Sequence, residues 1–152
     1  MDEEKKSSAL DVAIRLLAGR AHSRSELEKK LKKRGFDPEA ISTAIQRLDQ
    51  LSLIDDRAFA GSCMTSMARR RPEGKLKTRA RLKQKGLSDE IIEKALSESD
   101  QAALCLSAAR KKMRTLSGPP ELKRKKLITF LTNRGFDWET IKEAVGQLTV
   151  DS

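Results

Sequence analysis

Three copies of one short pattern, almost evenly spaced, constrain this chain more than any other feature of its sequence. The copies are centred on Gly35, Gly86 and Gly135, which lie 51 and then 49 residues apart. A leucine stands four positions before each glycine, and a Glu, an Ile and an Ala stand at the fourth, sixth and ninth positions after it. So many shared offsets indicate an internal repeat of about fifty residues.

The repeat length favours a modular rod over one large core. A chain of 152 residues has the length of an ordinary domain, but three short repeats also suit a rod of several small cores. Hydrophobic residues make up 38% of the chain and charged residues 36%, with four Phe, one Trp and no Tyr. We therefore expect a helical protein with thin cores packed by Leu, Ile and Ala.

The repeats divide the chain into four segments. These are a polar N-terminal segment at residues 1–8 and three-helix repeats at residues 9–51, 52–98 and 99–152. Apolar residues recur at helical spacing in each repeat, and no stretch shows convincing strand alternation. The predicted fold class is all-α, with three tandem three-helix repeats.

Local signals mark the ends of the predicted helices, most clearly in the first repeat. Ser23 can cap a helix, with Glu26 completing a capping box. Gly35 is expected to end that helix at positive φ, and Asp37 to cap the next one, with Pro38 in its first turn. Further caps are predicted at Asp55 or Asp56, Ser88 and Asp100.

The chain offers few groups from which an active site could be built. Cys63 and Cys105 lack a second Cys or a His at ligand spacing, which favours reduced thiols over a metal site. The single His, His22, precedes a helix cap, and we interpret it as a surface or capping residue. Capping also explains the acidic pair Asp55 and Asp56. We therefore predict a protein that is not an enzyme and needs no cofactor or metal.

The N-terminal sequence and the hydropathy favour the cytoplasm. Residues 1–6 are polar and charged, and nowhere do about 18 apolar residues run together. We expect no membrane contact.

The net charge of +10 is concentrated on the second helix of each repeat or its approach. Residues 69–85 contain nine basic residues and one acid, and residues 110–126 contain eight and one. Stacking of the repeats can align these helices as one basic stripe. The candidate binding surface comprises Arg69, Arg70, Arg71, Lys75, Lys77, Arg79, Lys83, Lys29, Lys33, Lys111, Lys112, Lys123, Arg124 and Lys126.

A run of charge is usually a solvated helix face, but these runs have almost no compensating acid. Nucleic-acid phosphates are the favoured partner, and an acidic protein surface is the competing one. The scarcity of aromatic residues argues against stacking on unpaired bases. We expect Trp138, Phe59 and Phe36 to pack in the cores.

Several segments, taken in their order and spacing, resemble the RecX family, regulators of the bacterial RecA recombinase. The resemblance covers residues 9–148 and is carried by Ala21-His22-Ser23-Arg24-Ser25-Glu26-Leu27, Lys30-Leu31, Arg34-Gly35-Phe36, Leu53-Ile54-Asp55-Asp56, Phe59-Ala60, Arg69, Gly74, Leu82 and Lys85-Gly86.

The resemblance implies an elongated, curved helical array that lies in the groove of the RecA filament on single-stranded DNA. It also implies inhibition of the recombinase, ATPase and coprotease activities of RecA, in recombinational repair and the SOS response, by a protein without catalytic residues. Whether inhibition caps filament ends or loosens their interior stays open. Three positions depart from the family pattern: Ser52 stands where Gly is usual, Cys63 where an aromatic is common, and Thr78 where an aliphatic packs.

The alternative is a stand-alone helical DNA-binding protein that contacts phosphates through the basic stripe with little sequence readout. Each three-helix unit resembles a helix-turn-helix, but a sequence-reading factor usually needs one such unit and a dimer interface. No leftover apolar helix supplies that interface, so we expect a monomer. RecA and single-stranded DNA are the expected partners, and contact with double-stranded DNA is left open.

Overall fold

The computed structural model describes residues 7–151, with side chains to residue 148, and contains nine helices and no strand in that range. Residues 1–6 of the predicted polar segment lie outside the described residues. The helices are α1 Ala9–Gly19, α2 Arg24–Lys33, α3 Pro38–Gln50, α4 Asp56–Arg70, α5 Lys75–Gln84, α6 Asp89–Ser97, α7 Gln101–Met113, α8 Pro120–Asn133 and α9 Trp138–Asp151. The extensively packed pairs of helices all lie within one triplet, α1–α3, α4–α6 or α7–α9. The prediction of three tandem three-helix repeats is confirmed.

The predicted helix ends are formed by local hydrogen bonds. The Ser23 hydroxyl accepts a bond from the Glu26 amide at 3.1 Å, and the Glu26 carboxylate accepts one from the Ser23 amide at 3.1 Å. The Asp37 carboxylate accepts a bond from the Ala40 amide at 2.8 Å. Gly35 has a φ of 92°, as its helix-ending position requires. Caps also form at Asp55, Ser88 and Asp100.

Each repeat has its own apolar cluster, and the middle one is the smallest. Leu27 of the first repeat and Leu127 of the third are buried at equivalent positions, counted from the repeated glycines. The middle repeat has Thr78 there, buried with 5% of its surface exposed. Phe59 is buried as predicted, and Phe36 is half-buried against the first cluster.

The prediction that Trp138 packs in the core is wrong. Trp138 is the first residue of α9 and leaves 51% of its surface exposed. Phe136, two residues earlier, fills the core with 2% exposed. The equivalent residues of the other repeats, Pro38 and Asp89, are also exposed, so this position points outward in every repeat.

The interpretation of His22 as a surface or capping residue is also wrong. The ring is buried, with 3% of the residue exposed, and its two nitrogens lie 2.9 Å from the Arg20 carbonyl oxygen and 2.8 Å from the Lys30 Nζ. Ser23, the following residue, performs the capping. His22 instead fills the turn before α2.

The first two repeats meet where the N-terminus of α2 docks on the α5–α6 turn. The Ser23 hydroxyl donates a hydrogen bond to the Lys85 carbonyl oxygen at 2.7 Å. The Arg24 amide donates to the Asp56 carboxylate at 2.8 Å. Asp56 therefore ties two repeats together, a role that its helix-capping interpretation did not include.

The second and third repeats meet at the equivalent place, through the backbone. The Gly74 amide donates to the Arg134 carbonyl oxygen at 2.7 Å, and the Leu76 amide donates to that of Gly135 at 3.3 Å. The Lys75 amide donates to the Gln101 side chain at 2.8 Å. A Cβ at Gly74 would overlap the backbone of Gly135, so only glycine allows this close approach. We call this contact the second junction.

Candidate nucleic-acid interface

The predicted basic residues lie on five helices and one helix cap. Lys29 and Lys33 are on α2, four more are on α5, and the remainder are at the C-terminal ends of α4 and α7 and along α8. All fourteen are exposed or half-exposed. Their side chains are therefore accessible to a ligand, but some of them already form ion pairs with acidic residues.

Three of the four predicted residues on α5 have acidic partners. Lys75 pairs with Asp137 at 3.4 Å, Arg79 with Glu93 at 2.7 Å, and Lys83 with Asp89 at 2.5 Å. Exposed pairs of this kind contribute little to stability and can exchange for another anion. These three cations are weaker candidates than the sequence suggested, because a charge count along the chain does not reveal acids on the neighbouring helix.

The other eleven predicted cations have no acidic side chain within ion-pair distance among residues 7–148. On the middle repeat they are Arg69, Arg70, Arg71 and Lys77. Arg69 and Arg70 form the last turn of α4, and Arg71 is its C-cap. Lys77 lies in the first turn of α5, beside the second junction. Uncompensated cations therefore gather where the middle repeat meets the third.

A buried carboxylate organises this region. The Glu73 side chain is 4% exposed and receives two hydrogen bonds from Arg81, at 2.6 and 3.1 Å. Burial alone would raise the pKa of Glu73, but the Arg81 hydrogen bonds and the charges of Arg81, Lys77 and Arg71 hold it below its usual value. Glu73 is therefore ionised and surrounded by cations.

A fourth cation reaches the same place from the third repeat. The Arg134 guanidinium donates a hydrogen bond to the Pro72 carbonyl oxygen at 3.2 Å and lies 4.5 Å from the centre of the Phe130 ring. Burial lowers the pKa of Arg134, and the charge of Arg71 lowers it further. Four cations thus face one carboxylate, and we call Arg71, Lys77, Arg81, Arg134 and Glu73 the junction cluster.

The cluster extends across the third repeat through an aromatic ring. Lys112 lies over Phe130 at 4.9 Å from the ring centre, near Arg134 on the same ring. The structure thereby brings the predicted cations Arg71 and Lys77 together at the second junction, and Lys112 is linked to Arg134 through the shared Phe130 ring.

The sequence interpretation missed three members of the junction cluster, Glu73, Arg81 and Arg134. A signal for Arg134 was present, because it occupies the basic position before the repeated glycine, as Arg34 and Lys85 do. Its pairing with residues 62 positions away was not encoded locally. Arg81 looked like one more cation of a basic helix until its buried partner was known.

Burial also affects the two cysteine thiols in the described part of the chain. Burial raises the pKa of the Cys105 thiol to about 11 and also raises that of Cys63, so both free thiols are weak nucleophiles at neutral pH. Among the described residues, no group of three His, Cys, Asp or Glu side chains is placed to hold a metal ion. None of the helices in that range combines the length and apolar composition needed to span a bilayer.

Comparisons with known proteins identify the family. The chain matches the first, second and third three-helix domains of RecX over residues 9–48, 55–96 and 98–145. Regulatory protein RecX of Chlorobaculum tepidum is 71% identical over 95% of this chain and 91% of its own. That of Chlorobium phaeobacteroides is 49% identical over 97% of this chain and 98% of its own.

Solved structures agree with the sequence matches. The crystal structure of RecX from Lactobacillus salivarius has a TM-score of 0.86 and 25% identity, covering 93% of this chain and 95% of that one. A second crystal structure of regulatory protein RecX has a TM-score of 0.76 and 27% identity, covering 89% of this chain and 70% of that one. The chain therefore belongs to the RecX family, whose members are regulatory proteins and not enzymes.

Proposed function

We propose that this protein binds the RecA filament on single-stranded DNA and inhibits the recombinase, ATPase and coprotease activities of RecA. Membership of the RecX family supports RecA as the partner. The observation that carries the DNA contact is the junction cluster, where four cations surround one carboxylate.

An excess of cations makes a phosphate backbone a favourable partner for this region. Cations held near one another repel, and the charge of Arg71 adds to the effect of burial in lowering the pKa of Arg134. A phosphate that enters between them relieves this repulsion, and its own counterions are released. Arg69 and Arg70, on the adjoining last turn of α4, extend the cationic surface. The contact would depend on salt and read little sequence.

A second candidate is a stand-alone DNA-binding protein that acts without RecA. The unpaired cations of α8, Lys123, Arg124 and Lys126, favour it, because a basic helix in a three-helix unit can lie against a duplex. In this chain each second helix of the first two repeats instead uses its N-terminus to dock on the next repeat. That use of the helix end favours a regulator that spans several protomers of a filament.

The test is the DNA-dependent ATPase of RecA from the same organism, measured with this protein at substoichiometric amounts and single-stranded DNA in excess. The excess DNA removes competition for DNA as an explanation. We expect a strong loss of ATPase activity. An unchanged ATPase, together with binding to bare DNA that weakens steeply as salt rises, would reject action on the filament and favour the second candidate.

A further inference from the structure

Two exposed apolar side chains border the second junction. Leu76 and Trp138, with 57% and 51% of their surfaces exposed, are the most exposed large apolar residues in the described part of the chain. The Leu76 amide is bonded to the Gly135 carbonyl oxygen, and Trp138 begins α9 three residues later. Leu76 therefore belongs to the contact between the middle and third repeats, and Trp138 lies three residues from it along the chain.

Neither core packing nor helix formation explains why a tryptophan occupies position 138. The core beneath this turn is filled by Phe136, with 2% exposed. The equivalent positions hold Pro38 and Asp89, residue types that favour the first turn of a helix, whereas Trp offers no such benefit. A large aromatic ring that serves neither purpose and lies in solvent is available to a ligand.

Cations surround the segment that carries Trp138. The Lys75 ammonium lies 3.4 Å from the carboxylate of Asp137, the residue immediately before Trp138. Lys77 lies against Gly135, and Arg134 belongs to the junction cluster. An aromatic face bordered by cations is suited to a ligand that combines flat rings with phosphates.

We propose that Trp138 stacks on an unpaired base of single-stranded DNA whose phosphates lie along the junction cluster. The proposal rests on the proposed function and names the group that distinguishes a single strand from a duplex. It departs from the expectation that the chain does not stack on unpaired bases, because Trp138 is exposed and not in the core. Bases in a duplex are already stacked and paired, so the ring has no free base face to contact. Leu76 provides an apolar surface beside the same base.

The experiment uses the intrinsic fluorescence of the full-length protein. Trp138 is the single Trp and the chain has no Tyr, so tryptophan emission reports this site alone. An oligothymidylate with a fluorescent end label provides an independent measure of binding by anisotropy. We expect the emission to be quenched in parallel with the anisotropy change, and a duplex of equal length to bind without comparable quenching.

Substitutions separate stacking from charge. Trp138→Ala is expected to weaken oligothymidylate binding about tenfold while leaving duplex binding unchanged, and Trp138→Phe to retain most of the affinity. Leu53→Ala, at a residue of similar exposure in the turn between α3 and α4, is the control and should change neither. Circular dichroism checks that each variant keeps its helices.

The same experiments distinguish a failure of the stacking proposal from a failure of the proposed DNA contact. Normal oligothymidylate binding without quenching, together with unchanged binding by Trp138→Ala, would overturn the stacking and leave the DNA contact standing. Equal quenching by duplex and single strand would also overturn it. Absence of binding to either DNA would reject the DNA contact itself.

Discussion

Ser52 shows backbone strain confined to one residue. Its φ of 56° makes it the single non-glycine residue with positive φ among residues 7–151. An L-residue pays a steric cost in this left-handed conformation, which glycine avoids. A glycine at this position would adopt the same conformation without that cost.

Ser52→Gly is expected to stabilise the protein by about 0.5–1 kcal/mol, the relief of strain less the greater freedom of glycine in the unfolded chain. Urea unfolding measures the change. Ser42→Gly, at an exposed position within α3, is the matched control and should destabilise by a similar amount. A loss of stability in both variants would show that Ser52 is not strained.

The buried environment of His22 favours the neutral ring. Lys30 Nζ can only donate, so the Nε2 atom 2.8 Å away accepts, and Nδ1–H donates to the Arg20 carbonyl oxygen at 2.9 Å. Burial lowers the pKa of His22, and the charges of Arg20 and Lys30 lower it further. Protonation therefore costs more in the folded chain than in the unfolded one.

His22 makes folding stability depend on pH near neutrality. A folded-state pKa below the unfolded value of about 6.5 means that stability is complete above pH of about 6.5 and falls as pH drops towards the folded-state pKa. Because the chain has one His, chemical unfolding between pH 7.5 and 5.5 reports on it. His22→Gln should flatten this dependence. An equal slope in both proteins would place the titrating group elsewhere.

At the scale of helices and turns, the sequence predicted what local interactions determine. Ser23 with Glu26, and Asp37 with Ala40, act over three residues, so their caps could be recognised from spacing alone. The bond from Ser23 to the Lys85 carbonyl oxygen joins residues 62 positions apart and has no local signal. For the same reason the burial of His22 and the exposure of Trp138 were missed, since both depend on how neighbouring elements pack.

Gly74 allows a direct test of the second junction. Its φ of −75° suits any residue, so Gly74→Ala adds no backbone strain but forces a Cβ into the backbone of Gly135. We expect the junction to open and the Leu76 amide, bonded to the Gly135 carbonyl oxygen, to lose its protection from hydrogen exchange.

The control for Gly74→Ala is Gly146→Ala, within α9, where an added Cβ would meet no atom of another element within 4 Å. It should stabilise the protein by about 1 kcal/mol, because Ala is the better helix former, and leave the Leu76 amide protected. Unchanged protection in Gly74→Ala would mean that the repeats accommodate the methyl group and that the close approach is not required.

At the scale of the whole molecule, the first and the second repeat each dock on the repeat that follows, through the N-terminus of their second helix. The third repeat receives such a contact. Counted from the repeated glycines, Lys123 occupies the position of Gly74. Because α8 begins earlier, at Pro120, the Lys123 amide is bonded within the helix, to the Pro119 carbonyl oxygen at 3.0 Å. It is therefore not available to a further repeat. This supports the expectation of a monomer, which stays a prediction.

The sequence predicted where the basic surface lies better than it predicted which of its cations are free of acidic partners. Charge runs at residues 69–85 and 110–126 do lie on second helices and their approaches. The pairing of Arg79 with Glu93 and of Arg81 with Glu73 depends on the three-dimensional fold, so it could not be read from the runs. The best candidates for binding DNA are therefore the predicted cations that have no acidic partner among the described residues.

A charge-matched pair of variants tests whether position, and not net charge, determines DNA binding. The site variant is Arg69→Gln, Arg70→Gln, Lys77→Gln, which removes unpaired cations near the second junction. The control is Arg47→Gln, Lys94→Gln, Lys142→Gln, which removes one cation from the third helix of each repeat. Gln is used because a new acid at residue 77 would repel the buried Glu73 carboxylate.

Both variants lose the same net charge, so long-range attraction to DNA falls equally in the two. Direct binding of phosphates differs between them. Anisotropy with labelled oligothymidylate at several salt concentrations should show weaker binding for the site variant, with the slope of log K against log salt reduced by about 0.7 for each phosphate that the variant no longer neutralises. The control should keep the slope of the unmodified protein. Equal slopes in the two variants would mean that binding follows total charge, and would remove the second junction as the DNA-binding surface.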